Sequence, residues 1–292
     1  MEFNKKLIYK IIDNKIDKII LVDLNEQKLN ILYNALNLNH SLKELHLSWN
    51  KIEDITLLCK SLKNNSYLKK LDLSNNRIKD ITPLKFLSNS CLQKLNLSFN
   101  KIEDITPLKF LSNSCLQELN LSSNKIKDIT PLKFLSNSFL QELDLSYNKI
   151  KDITPLKFLS NSCLKYLYLA FNKIKDITSL KFLSNSCLHE LNLMYNQIED
   201  ITPLKFISSS CLEQLHLSEN KIKDITPLKF LKNNSCLLAL YLPGNQIKDI
   251  TPLKFLSNSC LQELDLEYNQ INNQDKQKIK ELAKLKQIKL YI

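Results

Sequence analysis

The sequence predicts an α/β solenoid, with a parallel β-sheet on one face and short α or 3₁₀ segments on the other. Three observations carry this prediction. A unit of about 24 residues returns from Leu68, Leu92, Leu116, Leu140, Leu164, Leu188, Leu212, Leu237 and Leu261, with a looser copy from Leu42. Each unit opens on Leu-x-x-Leu-x-Leu-x-x-Asn, in which leucines alternate with polar residues as in a strand with one buried face. Each then continues with apolar residues about three apart, as in Ile126, Ile129, Leu132 and Leu135. A fixed period in this range means that one structural unit stacks on the next. A lone strand cannot hide its leucines, but a stack of strands can.

The elements follow in order. Residues 1–15 carry Phe3, Leu7, Ile8, Ile11 and Ile12 among lysines, the spacing of an amphipathic helix that caps the first unit. Residues 16–41 are a degenerate first repeat, with a strand at Ile16-x-x-Ile19-x-Leu21 and a helical return through Leu29, Leu32, Ala35 and Leu36. Residues 42–271 hold ten clear units. Residues 272–292 read as a C-terminal helix with Ile279, Leu282 and Leu285, then a truncated strand, Leu285-x-x-Ile288-x-Leu290. The whole chain, 1–292, is expected to be one solenoid domain. Within a unit, Thr130 is expected as an N-cap and Pro131 as the first residue of the short turn to about Ser136. Asn137-Ser138 then returns the chain to the next strand. The asparagine in the ninth slot (Asn50, Asn76, Asn100, Asn124 and on to Asn269) fits a ladder that satisfies backbone groups where the chain leaves the strand.

Composition excludes several function classes. One glycine in 292 residues rules out glycine-rich phosphate loops and dinucleotide fingerprints. No apolar run approaches the roughly 20 residues of a membrane span, and the charged N-terminus lacks a secretory segment, so an intracellular protein, cytoplasmic or nuclear, is expected. Seven of the eight cysteines (Cys91, Cys115, Cys163, Cys187, Cys211, Cys236, Cys260) share the slot before the first leucine. They are read as small buried hydrophobes, reduced, because Tyr67 and Phe139 fill the same slot and no Cys-x-x-Cys pair exists. No catalytic, metal or cofactor site is expected. The nearest candidate, His189, Glu190, Glu213, His216 and Glu219 from adjacent units, lacks ligand-type spacing.

The pattern L-x-x-L-x-L-x-x-N-x-I resembles the leucine-rich repeat family over roughly residues 16–292. The outer I-x-D-I-T-P-L-x-x-L segment is similar to the internalins and to the leucine-rich regulatory subunit of a protein phosphatase. The opening units are closer to the ribonuclease-inhibitor type. The resemblance implies a curved, horseshoe-like solenoid that binds proteins on its concave strand face; a monomeric, non-enzymatic scaffold is expected.

The variable letters then locate a candidate site. The second, third, fifth, seventh and eighth slots of the ten units hold five lysines and eleven acids, a net −6, while the whole chain is +11. The face is acidic and suits a partner with a basic or polar surface. The surplus lysine lies in outer columns such as Lys101, Lys125, Lys149 and Lys173, and Lys109, Lys133 and Lys157. There it either solvates the convex side or binds a polyanion, RNA or an anionic membrane. The eighth slot is often aromatic, and the densest cluster is Tyr147, Tyr166, Tyr168, Phe171, Met194 and Tyr195. With Glu142, Asp144 and Glu190 these are the expected partner-binding residues. The alternative for the eighth-slot aromatics is lateral stacking along the strand edge, without recognition.

Overall fold

Each predicted strand is present and three residues long, and within each unit the strands pair in parallel. The structure, a computed structural model, describes residues 2–88, 90–112, 114–136, 139–184, 186–207, 211–233, 236–258 and 260–292. Asn137 and Ser138, read above as the return turn, lie outside the described residues. The chain divides into two units, Met1–Asp144 and Leu145–Ile292.

In the first unit, helix α1 (Lys5–Ile12) is N-capped by Asn4, whose side chain accepts from the Leu7 N–H at 3.0 Å, and it buries Leu7 and Ile11. It packs on α2 (Glu26–Leu36), which buries Leu29, Leu32, Tyr33, Ala35 and Leu36. Strands β1 (Lys18–Ile20), β2 (Glu44–His46), β3 (Lys70–Asp72), β4 (Lys94–Asn96), β5 (Glu118–Asn120) and β6 (Glu142–Asp144) pair in chain order. The outer segment is α-helical once more in α3 (Thr56–Ser61), where the Cys59 N–H reaches Ile55 O. At Thr82–Leu87, Thr106–Leu111 and Thr130–Leu135 proline occupies the second position and the segment tightens to 3₁₀.

The second unit repeats the plan. Strands β7 (Tyr166–Tyr168), β8 (Glu190–Asn192), β9 (Gln214–His216), β10 (Ala239–Tyr241), β11 (Glu263–Asp265) and β12 (Lys289–Tyr291) pair in order. Its 3₁₀ segments run Thr154–Leu159, Thr178–Leu183, Thr202–Ile207, Thr226–Asn233 and Thr251–Asn258, and it ends on α4 (Asn273–Lys286) before β12.

The core lies between strands and outer segments. In the copy from Leu116, residues Leu116, Leu119, Leu121, Ile126, Ile129, Leu132 and Leu135 are all buried. Burying a leucine or isoleucine side chain is worth about 1.5–3 kcal/mol, and the repeat supplies seven such residues. The asparagine ladder is as expected. Asn124 Nδ2 donates to Leu97 O of the preceding repeat at 2.9 Å and to Leu121 O of its own at 3.1 Å, while its Oδ1 accepts from the Ile102 N–H at 3.0 Å. Asn172 does the same in the second unit with Leu145 O, Leu169 O and the Ile150 N–H.

Four expectations are corrected. Thr130 is not the cap of its turn: Asp128 Oδ1 accepts from the Thr130 N–H at 2.8 Å, and the same bond recurs from Asp54–Thr56 to Asp249–Thr251. The aspartate column is therefore structural, because a short carboxylate two residues upstream reaches the free N–H better than the threonine hydroxyl does. The cysteines of the shared slot are exposed, with Cys236 half-buried. The preceding serine faces inward instead: Ser114, Ser162 and Ser186 are buried, each donating from Oγ to the carbonyl of the 3₁₀ segment's last leucine. Alternation between that serine and the first leucine turns the cysteine outward. Only Cys59, outside the column, is buried, and burial pushes its thiol up to about 12.

The last strand is displaced by two residues. Leu290 pairs with Leu264, so Ile288 does not occupy that place. Helix α4 continues through Lys286 and closes on Gln287 in the left-handed region, which leaves Leu285 helical and exposed. A two-residue shift preserves which side chains face the core, so alternation alone cannot detect it. Finally, the seventh slot is mostly interior: Ser74, Ser98, Ser122, Ser146, Ala170 and Ser218 are buried. The strand face is narrower than five slots.

Candidate strand-face site

The third and fifth slots are the strand positions that look away from the core, and the eighth follows where the chain turns out. That eighth slot has one conformation throughout. Asp23, Trp49, Asn75, Phe99, Ser123, Tyr147, Phe171, Tyr195, Glu219, Gly244 and Tyr268 all have positive φ, from 51° to 66°. Placing a bulky L-residue there costs about 1–2 kcal/mol, so aromatics are unusual occupants. Gly244 is the chain's sole glycine, and a β-carbon there would run into the Glu219 carboxylate, which lies over it.

In the second unit three of these aromatics form a column. The Tyr147 and Phe171 rings stack at 4.0 Å with 10° between planes, and Phe171 and Tyr195 at 4.1 Å and 15°. Tyr147 is 53% and Tyr195 42% exposed. The stack is the lateral arrangement that sequence reasoning held as an alternative, yet it leaves large aromatic surface in water. Met194 is half-buried in the seventh slot, its N–H held by Asn192 Oδ1 at 3.1 Å.

Tyr166 and Tyr168 are half-buried on β7. Tyr168 Oη donates to Glu190 Oε2 at 3.1 Å. Glu190 Oε1 lies 3.5 Å from His216 Nε2, a buried nitrogen that makes no hydrogen bond, and the His216 ring stacks on Tyr241 at 4.6 Å. Burial raises the Glu190 pKa despite the tyrosine bond, and burial lowers that of His216. Tyr166 faces His189 at 6.0 Å, while His189 Nδ1 is turned to Cys187 O at 2.7 Å. The structure thus joins Tyr168, Glu190, His216 and Tyr241, of which sequence reasoning had placed Tyr168 and Glu190 in the partner-binding set. His216 had been weighed only as a catalytic or metal candidate, and Tyr241 lay outside both sets. Their shared fifth slot on β9 and β10 was the available signal. Among the described residues no three histidine, cysteine or acidic side chains are placed to share a metal ion.

Glu142 and Asp144 sit half-buried on β6 of the first unit, with Lys70, Lys94 and Glu118 lining the same shallow hollow as Glu142. On the helix side, the lysine of several 3₁₀ segments lies over the next phenylalanine, as Lys109 over Phe110 and Lys133 over Phe134, both at 5.1 Å. Among the described residues no helix is long and apolar enough to cross a membrane.

Comparison with known proteins follows the same lines. A model described as leucine rich repeat matches residues 66–126 and 114–174, a two-copy leucine rich repeat model matches 40–86, 164–206 and 188–230, and a further leucine rich repeat model matches 257–275. The crystal structure of internalin InlF from Listeria monocytogenes is 30% identical, over 97% of this chain and 82% of that one, with a TM-score of 0.75. Two more distant structures share the fold. A leucine-rich repeat protein of Leptospira interrogans is 20% identical (100% and 99% covered, TM-score 0.53). The plant peptide hormone receptor RGFR1, solved in complex with RGF2, is 23% identical (82% and 38% covered, TM-score 0.59). No curated protein matches the sequence.

Proposed function

The chain belongs to the leucine-rich repeat family, and from that premise we propose that it is a non-enzymatic scaffold that binds a partner protein on the strand face of its second unit. Proteins of this family commonly act as interaction scaffolds. One observation carries the reading: three aromatics hold the left-handed conformation and stack, with Phe171 half-buried between the exposed Tyr147 and Tyr195. A backbone cost of that kind, spent on exposed rings, is characteristic of binding surfaces. Tyr147, Tyr166, Tyr168, Phe171, Met194 and Tyr195 supply the anchors and Glu190 the charge, so the partner is basic or polar.

The test is affinity capture from the source cell with wild type and with Tyr166→Ala/Tyr168→Ala/Phe171→Ala. The triple variant is expected to lose the captured partner while keeping the wild-type circular dichroism spectrum. An unchanged set of partners removes this surface from consideration. A second reading, polyanion binding by the helix side, rests on an open hollow lined by Lys151, Lys173 and Lys175. It requires RNA or anionic vesicles to bind at about 50 mM salt and to dissociate steeply as salt rises.

A further inference from the structure

Three acids in the third slot, Glu44, Glu118 and Glu263, have a lysine partner on an adjacent strand, and Glu190 does not. Glu44 stands beside Lys18 on the adjacent strand, with the charges 2.9 Å apart. Glu118 pairs with Lys94. Glu263 pairs with Lys289 at 3.3 Å. In each case a lysine occupies the same slot of a neighbouring strand. The register gives Glu190 two neighbours in that slot, Tyr166 and Gln214, and neither is charged. Among the described residues no lysine or arginine lies within ion-pairing distance of its carboxylate.

The carboxylate is also more enclosed than its counterparts. Its side chain is 21% exposed, against 36% for Glu44 and 39% for Glu118. An enclosed charge without a counter-charge is unfavourable, and among the described residues the Tyr168 hydroxyl offsets only part of that cost. The surrounding atoms describe what would. Glu190 Oε2 takes the Tyr168 hydroxyl, but among the described residues Oε1 accepts no hydrogen bond, and 3.5 Å from it stands His216 Nε2, also without one. An incoming donor selects the neutral tautomer protonated at Nδ1, in which that nitrogen is an acceptor. Two adjacent free acceptors, one of them anionic, bordered by the Tyr166 and Tyr168 rings and by the stacked His216–Tyr241 pair, match a donor-rich planar cation.

We propose that Glu190 is the seat of a basic side chain of the partner protein, best filled by an arginine whose guanidinium spans Glu190 Oε1 and His216 Nε2 and lies against the tyrosine rings. This rests on the strand-face reading above and adds to it the chemistry of the contact. The lysines beside Glu44, Glu118 and Glu263 are replaced here by a tyrosine and a glutamine, which leaves the charge to be met from outside.

The experiment pans a library of random 12-residue peptides on the full chain, then measures each enriched peptide against wild type, Glu190→Gln and Phe171→Ala. The proposal expects an arginine or lysine in the enriched peptides. It expects a loss on the order of tenfold or more with Glu190→Gln, and a similar loss when that arginine is made citrulline or that lysine is acetylated. Gln is close to Glu in shape, so the variant tests charge and not folding. Peptides that lose affinity on Phe171→Ala but bind Glu190→Gln unchanged overturn the basic seat and leave the strand-face reading standing. Peptides indifferent to both variants overturn both.

Discussion

On the strand face of the first unit, charges are matched in place. Lys18 meets Glu44, His46 lies between Glu44 and Asp72 at 3.3 and 3.5 Å, and Lys94 meets Glu118. On β7 to β10 of the second unit the same slots hold Tyr166, Tyr168, Glu190, His216 and Tyr241, with ring stacks and one enclosed carboxylate in place of ion pairs. The scaffold under both is the same to within a few tenths of an ångström in its asparagine bonds. The difference teaches that leucines, isoleucines and asparagines set the architecture, while two strand slots and one turn slot per repeat are free to carry recognition.

That comparison can be broken at several levels. The largest effect is expected where the units are alike. Leu119→Ala and Leu167→Ala should each lose about 2–5 kcal/mol in urea denaturation, in equal measure, because both remove a fully buried strand leucine. Next, Asn124→Ala and Asn172→Ala should each lose about 1–3 kcal/mol for a stranded backbone group, again alike. A twofold disparity within either pair would mean that the two scaffolds are not equivalent.

Smaller effects should separate the units. Phe171→Asn gives up stacking worth about 0.5–1.5 kcal/mol per pair but relieves a left-handed backbone of similar cost. Thermal stability should therefore barely move while partner binding is lost. Glu118→Gln should cost about 0.2–1 kcal/mol, the worth of an exposed ion pair, whereas Glu190→Gln should be neutral or stabilising. Acidification gives the smallest contrast. Glu44 is held below the usual glutamate range, chiefly by Lys18, so its contribution is present above that range and fades as pH falls through its lowered pKa. Glu190 has the opposite sign: its raised pKa means that the cost of its charge disappears as pH falls through that value. Carboxyl titration followed by NMR should place Glu190 above Glu44.

Much of this was legible because the repeat writes the same message ten times. Leucine alternation and the Asn column needed only the periodicity, whereas the same period misplaced the last strand by two residues. The failures have physical causes. Whether Cys115 or Ser114 faces inward depends on how the chain leaves a 3₁₀ turn, which alternation in the strand does not govern. The role of Asp128 was hidden because a capping carboxylate and a solvating one are the same letter. The left-handed eighth slot was masked by Tyr147 and Phe171, since that conformation is ordinarily announced by Gly or Asn, as at Gly244 and Asn75. Of the candidate site, the aromatic cluster and Glu190 could be named from slot variability. The contact of Glu190 with His216 could not, because it runs diagonally between slots of neighbouring strands.

The most direct test of the account sets the two faces against each other. The dissociation constant of the captured partner is measured side by side for wild type, for Tyr166→Ala/Phe171→Ala/Glu190→Gln in the second unit, and for Lys94→Ala/Asn96→Ala/Glu118→Gln in the first. The account predicts that the second-unit variant loses the partner by two orders of magnitude or so, as hot-spot aromatics do, and that the first-unit variant binds like wild type. Equal losses, or a loss confined to the first-unit variant, would contradict it.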